Sequence, residues 1–83
     1  MHGASERLAA YLESLAEPGP APLRAQLPAA KTVIAARLGI TKETLSRLLR
    51  AFIEQGLIRV AKRDITILDP GRLSEAARGV QLA

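Results

Sequence analysis

The sequence predicts one small domain that is mainly α-helical and carries a small β-hairpin. A chain of 83 residues has room for one domain only. Its apolar residues are chiefly alanine (15) and leucine (13), which favour helices. They recur at helical spacing along most of the chain but alternate near its C-terminal quarter, which indicates a pair of strands. Because there is no cysteine, disulfides and thiolate metal sites are excluded.

The N-terminal part of the sequence is predicted to form a helix, a loop and a short strand. Apolar residues three and four positions apart predict a helix over residues 5–16, with Ser5 as its N-cap. A proline-rich segment at 18–22 ends this helix. Alternation over 23–27 then predicts a short strand. Residues 1–4 are expected to be a disordered start or a cloning remnant.

Two helices joined by a tight turn are predicted in the middle of the chain. The first spans 29–38 and is ended by Gly39, and the second spans 42–55 with Thr41 as its N-cap. The buried side of the first helix is expected to comprise Val33, Ile34 and Leu38. The apolar side of the second is expected to comprise Leu45, Leu48, Leu49, Phe52 and Ile53.

A hairpin and a last helix complete the domain. Apolar residues alternate with polar ones on both sides of a polar turn at 61–64, which predicts a hairpin over 58–68. Asp69 and Pro70 favour a helix start, so a final helix is predicted over 70–77.

Paired helices with a glycine turn, followed by a hairpin, match a winged helix-turn-helix. We place this domain at residues 5–78 and expect a frayed C-terminus at 79–83.

The positive charge lies in the middle of the chain. The net charge is +4, but residues 31–63 alone carry eight basic and two acidic residues. Such a concentration indicates a polyanionic partner. On the second helix of the motif, five polar residues spaced one, three or four apart form one exposed stripe: Lys42, Glu43, Ser46, Arg47 and Arg50. This stripe suits the DNA major groove, where arginine pairs with guanine and glutamate accepts from cytosine.

Other interpretations of the same residues stay open. Glu43 and Arg47 have the spacing of an intrahelical ion pair on a merely solvated face. A winged-helix protein-interaction module without DNA binding is the main alternative. A membrane-surface role is disfavoured because the basic face lacks aromatic anchors. No catalytic set of residues is present, so we expect no enzyme. Without a membrane span or a secretory signal, we expect a cytoplasmic protein and no membrane partner.

Several motifs carry a resemblance to a known family. They are Leu-Pro-Ala-Ala-Lys (27–31), Ile-Ala (34–35), Leu-Gly-Ile-Thr (38–41), Glu-Thr-Leu-Ser-Arg (43–47), Gly-Leu-Ile (56–58) and Ile-Thr-Ile-Leu-Asp (65–69). Together they resemble the C-terminal DNA-binding domain of the Crp/Fnr family of bacterial transcription regulators. The first and last of them are most similar to the Dnr-like branch, the nitric-oxide-responsive activators of denitrification genes.

The resemblance implies roles for individual residues. Base readout would fall to Lys42, Glu43, Ser46 and Arg47, and the combination of the last three is that of Fnr-type members, which recognise TTGAT-like half-sites. Phosphate contacts would fall to Lys31, Thr41, Thr44, Arg50, Lys62 and Arg63. Two positions depart from the family pattern. Ala30 stands where many members have a capping serine or threonine, and Lys62 stands where the wing turn usually has glycine.

The resemblance also implies partners. Family members bind double-stranded DNA as homodimers, so we expect a homodimeric parent and a monomeric isolated domain, with RNA polymerase as a further candidate partner. We expect that this chain is an excised domain and that it holds no cofactor, because any effector would bind a sensor domain that these residues do not include.

Overall fold

The chain folds into four helices and one three-stranded antiparallel sheet in the computed structural model, which describes residues 3–79. Its elements, in chain order, are α1 (Ala4–Leu15), β1 (Leu23–Gln26), α2 (Lys31–Leu38), α3 (Lys42–Glu54), β2 (Ile58–Ala61), β3 (Asp64–Ile67) and α4 (Pro70–Ala77). This order confirms the winged helix-turn-helix, and no observed boundary is more than two residues from the predicted one. Met1, His2 and residues 80–83 lie outside the described part, and so does most of the C-terminus expected to fray.

The N-cap of α1 is Gly3, so the prediction of Ser5 is wrong. The helix begins one residue earlier than expected, at Ala4. The side chain of Glu6 accepts a hydrogen bond from the Gly3 N–H and thereby satisfies a backbone group at the helix start. Ser5 consequently lies inside the first turn and makes no capping bond.

Helix α2 is shorter than predicted and buries a different residue. Ala30 has extended backbone angles and serves as the N-cap without a side-chain hydrogen bond, so the helix begins at Lys31 rather than at residue 29. Ile34 and Ala35 are buried, whereas Val33 is 44% exposed, which makes its predicted burial wrong. Ala35, not Val33, therefore joins Ile34 on the buried side of α2.

The turn between α2 and α3 has the predicted geometry. Gly39 adopts φ 71°, a left-handed conformation that glycine tolerates best, and the space around it would admit a Cβ atom. Ile40 N donates to Ala35 O at 3.0 Å, which satisfies a carbonyl at the end of α2. Thr41 caps α3 by accepting from Thr44 N at 3.1 Å, as predicted. The turn therefore fixes where α3 begins.

The buried side of α3 is narrower than predicted. Leu45, Leu49 and Phe52 are buried, and Leu48 is partly buried against the core. Ile53 is 45% exposed, so its predicted burial is wrong. It lies one residue beyond the last buried position, on a side that faces an open groove.

The wing is a sheet in which β3 is central, in the order β1-β3-β2. The register pairs Ala25 with Ile65 and Val60 with Ile65, so apolar residues from all three strands share the face turned to the helices. A two-residue loop joins β2 to β3, and its first residue, Lys62, has φ 57°. The loop thus keeps a conformation that normally takes glycine, at a cost of about 1–2 kcal/mol for lysine.

One apolar core joins all seven elements. It consists of Leu8, Ala9, Leu12, Ala25, Leu27, Ile34, Ala35, Leu45, Leu49, Phe52, Leu57, Ile58, Ile65, Ile67 and Leu73. Within residues 3–79 no polar or charged residue is buried. Helix α4 packs chiefly on α1, and its Arg72 Nη1 donates to Gln55 O at the end of α3, at 3.1 Å. None of the helices in the described part is long and apolar enough to cross a membrane.

The observed N-caps of α1 and α4 lead to a stability prediction. Asp69 caps α4 by accepting from Arg72 N at 3.1 Å, so Asp69→Ala should lower the free energy of unfolding by about 1 kcal/mol. Ser5→Ala should change it by less than about 0.5 kcal/mol, because Ser5 is not a cap. Urea unfolding followed by circular dichroism measures both variants. Equal losses in the two would contradict the assignment of Gly3 as the cap of α1.

Candidate nucleic-acid interface

The exposed side of α3 carries every residue proposed from the sequence to read bases. All five members of the predicted stripe are exposed: Lys42, Glu43, Ser46, Arg47 and Arg50. Glu43, Arg47 and Arg50 lie roughly opposite the buried leucines of the same helix, because side chains three and four positions apart share one helical face. Lys42 and Ser46 lie on the flank between the two sides. The core contacts of α3 therefore determine that this polar side faces outward.

Glu43 and Arg47 do not pair with each other. Among residues 3–79, neither a hydrogen bond nor a salt bridge joins them, although their spacing would allow one. The guanidinium group of Arg47 thus keeps all its N–H donors available to a ligand, and the carboxylate of Glu43 keeps its acceptors. This arrangement does not match the interpretation of the stripe as an intrahelical ion pair.

A groove beside α3 brings residues of the two helices of the motif together. Lys31, at the start of α2, lines it with Ser46 and Arg50 of α3. The other lining residues are Leu49, Ile53, Glu54 and Val60. The start of α2 has no side-chain cap, so its first backbone N–H groups add partial positive charge beside Lys31. The groove can therefore accept an anionic group between two basic side chains.

A hydroxyl pair stands at the start of α3. Thr41 Oγ1 accepts from Thr44 N at 3.1 Å and donates to Thr44 Oγ1 at 2.9 Å. Thr41 is exposed and Thr44 is half-buried. The structure thus joins these two residues, which the sequence assigned separately to phosphate contacts.

The tip of the wing lies apart from the groove. Lys62 and Arg63 are exposed, and Arg63 O accepts from Leu27 N at 2.8 Å, which ties the tip to the segment that leads into α2. Val60 of β2, not the two basic residues, lines the groove. The wing would therefore contact a ligand of α3 at a second, separate point.

Two exposed residues of α3 that line the groove were not assigned to the DNA interface from the sequence. Ile53 and Glu54 lie seven positions after Ser46 and four after Arg50, respectively. The same helical spacing that defines the stripe could have located them. Glu54 places an acidic group at the end of a basic surface, so the positive region of α3 ends there.

Comparison with known proteins supports the helix-turn-helix arrangement of α2 and α3. A family model for the Crp-like helix-turn-helix domain matches residues 6–76. No curated protein matches the sequence.

Solved structures of transcription regulators share the fold. DNR from Pseudomonas aeruginosa is 38% identical, with a TM-score of 0.74, over 86% of this chain and 32% of that one. The catabolite activator protein of Thermus thermophilus is 31% identical, with a TM-score of 0.75, over 94% of this chain and 35% of that one. The CO-dependent transcription factor CooA from Carboxydothermus hydrogenoformans is 30% identical, with a TM-score of 0.78, over 89% of this chain and 36% of that one.

The chain spans about a third of the length of each of these regulators. The match therefore concerns one domain and covers nearly all of this chain. With the family model over residues 6–76, it shows that the chain belongs to the Crp-like helix-turn-helix family of DNA-binding domains.

Proposed function

We propose that this chain is the DNA-reading domain of a Crp/Fnr-type transcription regulator and that α3 enters the major groove. The observation that carries the proposal is the exposed, unpaired polar side of α3, which shares a groove with Lys31 of α2. An α-helix fits the major groove of B-DNA. The protein groove beside α3 then leaves room for the sugar-phosphate backbone of the DNA.

Base readout follows from the donors and acceptors that α3 presents. Arg47 can donate to O6 and N7 of guanine, and Glu43 can accept from N4 of cytosine. Ser46 can do either, and Lys42 adds a donor near the helix start. The combination of Glu43, Ser46 and Arg47 supports a TTGAT-type half-site, as in Fnr-like members, and the motifs at 27–31 and 65–69 support a Dnr-like parent.

Phosphate contacts surround this readout surface. Lys31 and Arg50 flank the groove, and the wing tip offers two further cations. The full proposed set is Lys31, Thr41, Thr44, Arg50, Lys62 and Arg63. Such contacts position the domain on the duplex without reading its sequence.

The proposal extends to the parent protein. A regulator of this family would add a sensor domain for its effector and a dimerisation helix, so the parent would be a homodimer that binds two half-sites and contacts RNA polymerase. The isolated domain would then be a monomer that binds a single half-site weakly. Linking two domains can raise the affinity for paired half-sites by about 10²–10⁴-fold.

A protein-interaction module without DNA binding is the alternative. Such modules expose an apolar patch. In residues 3–79 the exposed large apolar residues are Val33, Ile53 and Leu68, which belong to α2, to α3 and to the segment after β3. Duplex binding that weakens steeply with salt supports the DNA-binding proposal, and salt-independent binding of a protein partner supports the alternative.

Arg47→Ala tests the base readout. It should weaken binding to the preferred half-site by about 1–3 kcal/mol and relax the preference at one base pair, because a bidentate contact is lost. Fluorescence anisotropy on matched and scrambled duplexes measures this effect. Arg24→Ala is the matched control, since Arg24 is an exposed arginine on β1 and outside the proposed interface. An Arg47→Ala variant with unchanged sequence preference would refute the assigned readout.

Lys31→Ala tests the phosphate contact in the groove. It should weaken binding to matched and scrambled duplexes alike and reduce the slope of log affinity against log salt by about one. The same titrations at several salt concentrations give this slope. A change in sequence preference with an unchanged slope would instead assign Lys31 to base readout.

A further inference from the structure

We propose that the free edge of β2 is a docking site for an extended, acidic peptide, which adds to the sheet as a fourth strand beside the groove of α3. This second partner is recognised by different atoms from those proposed to bind DNA. They are the backbone N–H and C=O groups of an unpaired strand edge.

The hydrogen-bond register of the sheet shows which backbone groups of β2 point outward. Leu68 N donates to Leu57 O at 2.8 Å, so these two residues form a hydrogen-bonded pair at the open end of the β2–β3 hairpin. Backbone groups alternate in direction along an antiparallel strand, so Arg59 also points to β3, whereas Ile58 and Val60 point away from it. Within residues 3–79, the outward N–H and C=O groups of this edge strand have no hydrogen-bond partner.

The opposite edge of the sheet is partly covered. There, the outward carbonyl of Arg24 on β1 accepts from Glu17 N at 2.8 Å, so the segment before β1 lies along that edge. Covering an edge strand is a common way to prevent unwanted pairing. In the described part of the chain no segment bonds to the outer side of β2 in the same way. An uncovered edge of this kind binds extended peptides through main-chain hydrogen bonds.

The two faces of the sheet at this edge select different side chains. Val60 faces the helices and lines the groove together with Leu49 and the exposed Ile53, which gives the groove an apolar floor. Arg59 is exposed on the other face. Because the side chains of a strand alternate between faces, an apolar residue opposite Val60 and an acidic residue opposite Arg59 fit an added strand.

Charge distinguishes an acidic peptide from a second copy of this chain. A second copy would bring its own Arg59 and wing tip against those of the first, and like charges opposite each other destabilise paired strands. The groove adds Lys31 and Arg50, with Glu54 as the only acidic residue among the described ones that line it. The surface therefore repels a second β2 and attracts a segment that carries carboxylates.

The experiment uses the ¹⁵N-labelled 83-residue chain and a capped seven-residue peptide in which glutamate and valine alternate. A second peptide has the same sequence but carries N-methyl groups on its valine amides. In an antiparallel arrangement with valine opposite Val60, these are the amides that face β2. The two peptides have the same charge and side chains, so they differ in their ability to form the strand hydrogen bonds. Binding is followed by NMR titration, and hydrogen exchange of the Val60 amide is measured with and without peptide.

We expect the unmodified peptide to bind, and the N-methylated peptide to bind at least about tenfold more weakly, because hydrogen bonds to β2 are lost. The unmodified peptide should also slow exchange of the Val60 amide. Val60→Pro removes the outward N–H without breaking a bond to β3, as edge strands tolerate, and should weaken binding about tenfold. Val60→Ile keeps the N–H and is the matched control, with binding within about twofold of wild type. Should Val60→Pro fail to fold, the N-methylated peptide decides the question alone.

Equal binding of the two peptides would overturn the proposal, because charge alone would then hold the peptide on the basic surface. An unchanged exchange rate of the Val60 amide at saturating peptide, or no binding at all, would overturn it as well.

A labelled DNA duplex, added to the same chain, tests the proposed function separately. If the wild-type chain shows no salt-dependent binding to the duplex, DNA reading fails while the peptide result stands. If the duplex binds, the peptide should displace it, because both partners lie against Lys31 and Arg50. A peptide that saturates the chain but leaves the duplex bound would lie outside the groove, and the docking site would be wrong.

Discussion

The burial of one side of α3 is the constraint on which the proposed DNA interface depends. Leu45, Leu49 and Phe52 are buried in the core on the side of α3 that packs on α2 and β2, and each contributes about 1.5–3 kcal/mol of apolar burial. A rotation of α3 that freed these residues would cost several kilocalories per mole. The exposed side is therefore held in one orientation before any ligand arrives, and such preorganisation reduces the cost of binding.

The rest of the fold fixes the position of the exposed side of α3. The Gly39 turn and the Thr41 cap fix the start of α3, and Arg72 of α4 holds its last turn through the carbonyl of Gln55. Lys31 lines the same groove as Ser46 and Arg50 because α2 packs on α3. Basic residues from α2 and α3 thus converge without a buried charge anywhere in residues 3–79. The interface is accordingly a surface feature supported by a core without buried charges.

Local sequence signals were sufficient to predict a helix boundary where a single residue type determines it. Glycine at position 39, threonine at 41 and the Asp69-Pro70 pair each set a helix boundary through their own backbone or side chain. Helical spacing likewise predicted the exposed stripe of α3. These features need no knowledge of distant parts of the chain.

Features that depend on contacts with other parts of the chain could not be predicted from local sequence signals. Ser5 is a good cap by type, but the carboxylate of Glu6 already serves Gly3. The burial of Val33 and Ile53 depends on which element covers the flank of each helix, and none covers them fully. The pairing of β1 with β3 joins residues some forty positions apart. In the site, the groove and the hydroxyl pair arise from packing and side-chain direction, which spacing alone does not specify.

Backbone amide shifts of the ¹⁵N-labelled chain, followed during a duplex titration, show which surface of the domain binds DNA. We expect the largest changes on residues 41–50, with others at Lys31 and the wing tip, because the proposed contacts lie there. Amides of α1 and α4, on the far side of the core, should change little. The largest changes on α1 and α4, with α3 unaffected, would contradict the claim that α3 forms the DNA-binding surface.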